Sequence, residues 1–366
     1  MRPCGSVHAI VLPVIVQHSE AGLFAKGRFF VHPTFDYLVI AGGLSLAFAA
    51  GMATLSVDVT LRGALTTLFI VANGAHFAAS TMRLYTRPGV TQTHPTLSLV
   101  APVIALVAVT AVIVLPEPLG LLFVSTYLVW SPYHYAGQAY GLAVMYGYRA
   151  GTPLRHEDKR AIRLACLLPF LWTLLQPEGG LAAVLRAGHV SAPAPFHDIR
   201  GAASHLLASM TLFAPIGLVL WLRARRGLVL PVISVVVIGS NAIWWTFFNI
   251  LDAFMWVTVF HALQYLGIVT IFHVKDRVRT AGNRHGRAWH AATFYGACVV
   301  LGYVLFEVWP SAYAWAGYDL KRSALMVTAA INIHHFVVDA CIWRLRRDPN
   351  YANVVDAAPA APAVAG

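Results

Sequence analysis

The sequence predicts an all-α, polytopic membrane protein of about ten transmembrane helices with both termini cytoplasmic. Three observations predict it. First, only 11% of the 366 residues are charged and 58% are hydrophobic, against about 25% charged in a soluble domain, and the mean hydropathy is +0.66. So few charges cannot cover a water-facing surface, so lipid must be the solvent for most of the chain. Second, apolar runs of about 20 residues, long enough to span a bilayer's hydrocarbon core, recur throughout. Third, the basic residues cluster in every second connection between those runs.

The runs place spans at 34–55, 62–82, 96–115, 119–146, 160–176, 202–222, 228–249, 254–274, 288–308 and 323–344. Asp252, in "NILDAF", marks the turn that divides the seventh from the eighth. Basic clusters precede the first span (Arg2, Lys26, Arg28) and fill the second (Arg83, Arg87), fourth (Arg149 to Arg163), sixth (Arg223, Arg225, Arg226) and eighth connections (Lys275 to Arg287). Arg344, Arg346 and Arg347 follow the last span. The connections between are balanced or acidic, as at Asp58 with Arg62, at Glu117 and at Asp319 with Lys321. Positive charge stays on the cytoplasmic side, so the alternation requires an even span count. The expected organisation is a cytoplasmic segment 1–33, a bundle 34–345 and a low-complexity tail 346–366, in a bacterial inner membrane.

Several function classes fall away. The formal charge of +11 is spent on the membrane flanks, and no glycine-rich phosphate loop or zinc knuckle accompanies it, so nucleic acid is not an expected partner. Cys4, Cys166, Cys298 and Cys341 show no CxxC spacing and point away from a disulfide framework. The apolar stretch "AIVLPVIV" near the N-terminus is too short to span and lacks a signal-peptide cleavage site, leaving targeting to the first span.

Ionisable groups inside spans are costly and face the bundle interior. Asn73, His76, Ser80 and Arg83 follow i, i+3, i+7, i+10 in the second span, one stripe on a helix. Tyr127, Ser131, His134 and Gln138 share a face of the fourth. His261 pairs with Gln264 in the eighth. Asn332, His335 and Asp339 share a face of the tenth, with His334 turned about 100° away. All four of these helices run from outside to inside. At about 1.5 Å per residue, His76, His335, His134 and His261 lie roughly 10, 14, 18 and 20 Å from the cytoplasmic edge, a slab that one site can fill. His32 and Asp36 are expected to cap it from the cytoplasmic side. His273, near the basic edge, reads as a helix-to-helix partner, and Trp244, Trp245 and Trp256 as packing.

Neutral imidazole is the commonest metal ligand and suits iron, copper or zinc. Uncharged ligands also cost less in a low dielectric than several carboxylates. The expected metal ligands are therefore His76, His134, His261 and His335, with His334 as a further candidate. Asp339, Gln138 and Gln264 are placed beside them in catalytic or orienting roles. The HxxxH and HxxHH clusters of membrane fatty-acid desaturases are absent from the spans, since the position three before His335 is Asn332. In concept only, without a shared local motif, the arrangement is similar to the bacterial carotene-cleaving membrane dioxygenases, which hold iron with histidines from several helices.

The leading expectation is an integral-membrane metalloenzyme, a non-haem iron oxidoreductase acting on a lipid-like or polyprenoid substrate. A redox partner and a membrane lipid or other hydrophobic small molecule are its expected partners. A haem-binding electron carrier, another transition metal and a proton-coupled transporter are the alternatives.

Overall fold

The computed structural model describes residues 23–54, 68–86, 90–117, 119–176, 180–187, 194–343 and 354. The N-terminal stretch to residue 22, the connection 55–67 and all of the tail except Val354 lie outside the described residues. Helices account for nearly all of the rest, and among the described residues the only β feature is an isolated bridge between Ala25 and Pro231.

The elements are α1 (Pro33–Ile40), α2 (Gly43–Thr54), α3 (Ala75–Tyr85, led in by a π-helical Phe69–Gly74), α4 (Thr96–Val114), α5 (Leu119–Arg149), α6 (His156–Leu174), α7 (Gly180–Ala187), α8 (Ala194–Arg226), α9 (Val232–Phe247), α10 (Ile250–Val278), α11 (Arg287–Trp315) and α12 (Leu320–Ile342). The described residues of the ten expected spans are mostly helical, apart from the break at 41–42 and the ends of the 228–249 run. Among the described residues five helices are long and apolar enough to cross a membrane: α4, the Ile199–Arg226 part of α8, α10, α11 and α12. A sixth crossing results if α1 and α2 count as one bent span.

That bend is a departure from the continuous helix expected over 34–55. The chain turns by 56° between α1 and α2, because Gly42 takes φ +83, a backbone conformation open to glycine and strained for other residues. Ser240 Oγ donates to the Ala41 carbonyl across the break at 2.9 Å, replacing a helical bond that the turn removes.

Burial separates an inner set of helices from an outer one. The most apolar windows of α10 and α12 are 56% and 61% buried, while those of α4, α8 and α11 are only 22–28% buried. Val103, Ile104 and Val107 of α4 and Leu206, Phe213 and Ile216 of α8 are fully presented to the surroundings, as side chains facing lipid must be. Inside, α3 packs on α10 and α12, and α5 packs on the same two. These four helices close a ring. α11 braces α3, α10 and α12 from one side, and α6, α8 and α9 stack outward from α5 on the other.

The closest approach in the ring's support is backbone against backbone. A Cβ placed on Gly302 of α11 would lie 2.5 Å from the Gly74 carbonyl carbon and 2.9 Å from Ala75 N, atoms that cannot swing aside. Gly302→Ala should therefore force α11 from the N-terminus of α3 and cost about 1–3 kcal/mol, the usual range for overpacking. Gly296→Ala, where nothing lies within 4 Å, is the control. Thermal unfolding in detergent should show a lowered midpoint for the first variant and none for the second.

Candidate metal centre

Each helix of the inner ring contributes one histidine. His76 comes from α3, His134 from α5, His261 from α10 and His335 from α12. One nitrogen from each ring lies within 4.8 Å of every other. The rings pack edge to face, with centroids 4.4 Å apart for His76 and His335, 4.8 Å for His76 and His261, 4.9 Å for His134 and His335, and 5.0 Å for His134 and His261. His76, His261 and His335 are buried to within 3%.

The hydrogen bonds specify which nitrogens are free. Ser80 Oγ donates to the Phe77 carbonyl at 3.0 Å, which commits its only hydrogen. It therefore accepts from His335 Nδ1–H at 2.8 Å. That tautomer leaves a lone pair on His335 Nε2, which accepts from His134 Nε2–H at 3.2 Å. His261 Nε2 has no hydrogen-bond partner, and the His76 ring has none beyond a loose contact with the Asn73 backbone. A buried polar atom left without a partner costs about 1–3 kcal/mol, and the lone pairs among these would be satisfied by a hydrogen-bond donor or a cation at the centre.

The donor set fits a metal ion. Metal–nitrogen bonds of about 2.0–2.1 Å put opposite ligand atoms at most about 4.2 Å apart and neighbouring ones nearer 3 Å. The 3.2 Å pair already matches, and the widest separation of 4.8 Å needs only a short inward movement. Asp339 stands beside the group, not within it. Its Oδ2 is 3.5 Å from His335 Nε2 and 3.8 Å from His134 Nε2. Its Oδ1 accepts from the Tyr265 hydroxyl at 2.6 Å. The carboxylate can balance one positive charge at the centre and can reach a ring nitrogen or a metal with one oxygen.

Other expected site residues are placed differently. His334 is not one of the four, because one step along α12 turns it about 100° from His335, and its Nε2 is buried without a partner elsewhere. Gln138 Nε2 donates to the His261 carbonyl and to Gln264 Oε1, each at 3.2 Å. The two glutamines thus tie α5 to α10 at the His261 backbone. Gln264 also lines a small cavity of about 20 Å³ with Ser45, Asn241 and Trp244, room for about one water.

His32 and Asp36 do not cap the centre. His32 Nδ1 caps α1 by accepting from Thr34 N at 3.3 Å. Asp36 is fully buried and accepts from Phe30 N at 2.6 Å, Val31 N at 3.1 Å and the Tyr146 hydroxyl at 2.8 Å. Arg149 donates to the Phe29 carbonyl at 2.6 Å and the Val354 carbonyl at 2.7 Å. These residues fasten the segment before α1 to α5. Arg83, at the end of the α3 stripe, is buried and paired with Asp276 at 2.9 Å. His273 stacks on Phe294 with centroids 4.2 Å apart.

Sequence reading missed two members of the site. Tyr265 follows His261 by four residues and Trp343 follows Asp339 by four, the same i, i+4 spacing that marked His335 and Asp339. Both look like ordinary aromatic packing in an apolar run, which hid them. Searches against known protein families, curated proteins and solved structures find no match to the chain.

Ser80 is the side chain that sets the His335 tautomer. Partners that orient a ligand in this way are worth about 10- to 100-fold in metal affinity. Ser80→Ala should weaken binding by that factor in a chelator-competition titration. An unchanged affinity would remove Ser80 from the site.

Proposed function

We propose that the protein is an integral-membrane metalloenzyme, a histidine-ligated non-haem iron oxidoreductase acting on a lipid-like or polyprenoid substrate. The observation that carries this reading is the convergence of four imidazoles from four helices, with ring nitrogens left unpartnered in an apolar interior. Hydrogen bonding between helices would pair those nitrogens with donors or carbonyls; a metal takes the lone pairs themselves.

A bare ion suits the centre better than haem. Axial imidazoles would need a porphyrin between them, whereas the packed ring pairs here have centroids only 4.4–5.0 Å apart. Three or four nitrogens leave iron an open position, and iron so held supplies one-electron chemistry and activation of dioxygen. The protein's own part is to hold the ligands in place, exclude water and supply a counter-charge. Ser80 fixes the His335 ring, the packed aromatic residues Phe77 and Phe336 seal it, and Asp339 stands beside it as the carboxyl that could balance an ion's charge.

A lipid-soluble substrate follows from the setting, because apolar helices surround the centre and the outer helices turn apolar side chains outward. The full proposal is ten crossings of a bacterial inner membrane, both termini cytoplasmic, with electrons supplied by a separate carrier. Reporter fusions at the C-terminus should then read cytoplasmic, and a single cysteine placed at Glu117 should be labelled from the outer face by an impermeant reagent. Labelling from the inner face would overturn the topology.

Metal analysis with an absorption spectrum tests the centre. Detergent-purified protein should hold about one iron per chain without a Soret band, and His335→Ala and His76→Ala should each lose it. Stoichiometric zinc would keep the site and overturn the redox chemistry, since zinc has none. A Soret band would make the protein a haem carrier, and a failure to bind any metal after reconstitution would sink the reading.

A further inference from the structure

The polar contacts around the imidazoles continue past Asp339. Trp343 Nε1 donates to the Tyr265 hydroxyl at 3.4 Å, and that hydroxyl donates to Asp339 Oδ1 at 2.6 Å. Aromatic rings follow the same line. The Tyr265 ring centre is 4.8 Å from His76 and 5.4 Å from His335, and the Trp343 ring is 6.1 Å from Tyr265. Tyr265 is 2% exposed. Trp343, just past the end of α12, is only partly buried and reaches the margin of the bundle. The Arg83 guanidinium lies 5.9 Å from the Trp343 ring, and its charge is offset by the half-exposed Asp276 at 2.9 Å.

Packing alone does not require this chemistry, since phenylalanine would fill the position of Tyr265. A buried phenol bonded to a carboxylate has the two things that its one-electron oxidation needs. One is an acceptor, within a single hydrogen bond, for the proton that must leave with the electron. The other is an oxidisable ring in contact, able to return the electron. The line of rings also joins the enclosed histidine centre to a partly buried side chain just past the end of α12.

We propose that Tyr265 and Trp343 form a one-electron relay between the histidine centre and the edge of the bundle. Tyr265 would give one electron to a one-electron oxidant at the centre, a transition-metal ion in a higher oxidation state held by the histidines, and its phenolic proton would pass to Asp339, leaving a neutral tyrosyl radical. Trp343 then supplies one electron while Asp339 returns the proton, and tyrosine is restored. The tryptophan radical cation is reduced by a soluble one-electron donor. The sum is one electron moved from donor to centre, with no proton lost and no atom transferred. The relay rests on the oxidoreductase reading for its natural oxidant. Its side chains can nevertheless be tested with no metal present.

The test is flash photo-oxidation of the full-length protein in detergent, with a soluble ruthenium tris-bipyridine oxidant and detection by electron paramagnetic resonance. It is run on chelator-stripped and on metal-loaded protein, each made with ordinary and with ring-deuterated tyrosine. Surface tyrosines contribute a background that all variants share. The expected result is a further tyrosyl component in stripped protein, narrowed by deuteration and lost in both Tyr265→Phe and Trp343→Phe. Thermal midpoints of both variants serve as the check on folding. A spectrum unchanged by Tyr265→Phe would overturn the relay, as would a component that persists undiminished in Trp343→Phe. A relay signal in a protein that binds no metal would overturn the metal reading and leave the relay standing.

Discussion

Two nitrogen lone pairs 3.2 Å apart in a dry interior repel each other unless a proton or a cation lies between them. At this centre that constraint applies to His335 and His134, with His76 and His261 closing around the same point. In water, solvent would relieve the repulsion at little cost. Inside an apolar ring of helices there is no such relief, so the two rings must share a proton in a hydrogen bond from one to the other or face a cation. Asp339, at 3.5 Å and 3.8 Å from the two nitrogens, is placed where such a charge would be balanced. The rest of the structure can be understood as the scaffold that keeps these five groups in place.

The scaffold works by closure. α3, α5, α10 and α12 each touch two of the others, so no one histidine can retreat without moving a whole helix. Glycine contact between Gly74 and Gly302 brings α11 hard against the start of α3, and the π-helical turn over Phe69–Gly74 resets the phase of that helix one residue before His76 follows at its second position. Such insertions are frequent where a helix must present a functional side chain. The Gln138–Gln264 pair performs the corresponding task between α5 and α10.

Much of the centre was legible in the sequence, for a physical reason. Histidine, glutamine and aspartate are rare guests in lipid-facing helices, so their positions stand out, and helical spacing assigns each to a face. Depth along the helix then selected His76, His134, His261 and His335 together. What spacing cannot give is the direction in which a face points once helices pack. Asp36 has a suitable depth but binds the backbone of Phe30 and Val31, and His334 is adjacent in sequence yet turned away. Tyr265 and Trp343 escaped notice because aromatic residues are expected in any apolar run. The bend at Gly42 escaped because hydropathy averages over it. The ten apolar runs exceed the five or six helices that meet length and hydropathy together among the described residues: the second run extends into residues outside the described ones, α9 is only 16 residues long, and α5 and α6 carry polar side chains along their length.

The four ring helices also come from both ends of the chain: two lie before residue 150 and two after residue 249. During synthesis, a ribosome that has delivered α3 and α5 into the bilayer has delivered two imidazoles with nothing to close around. The centre cannot assemble until α12, the last long helix among the described residues, has been released and has docked. Any metal held by all four histidines would thereby wait for α12, and a product terminated before that helix would lack His335 and Asp339.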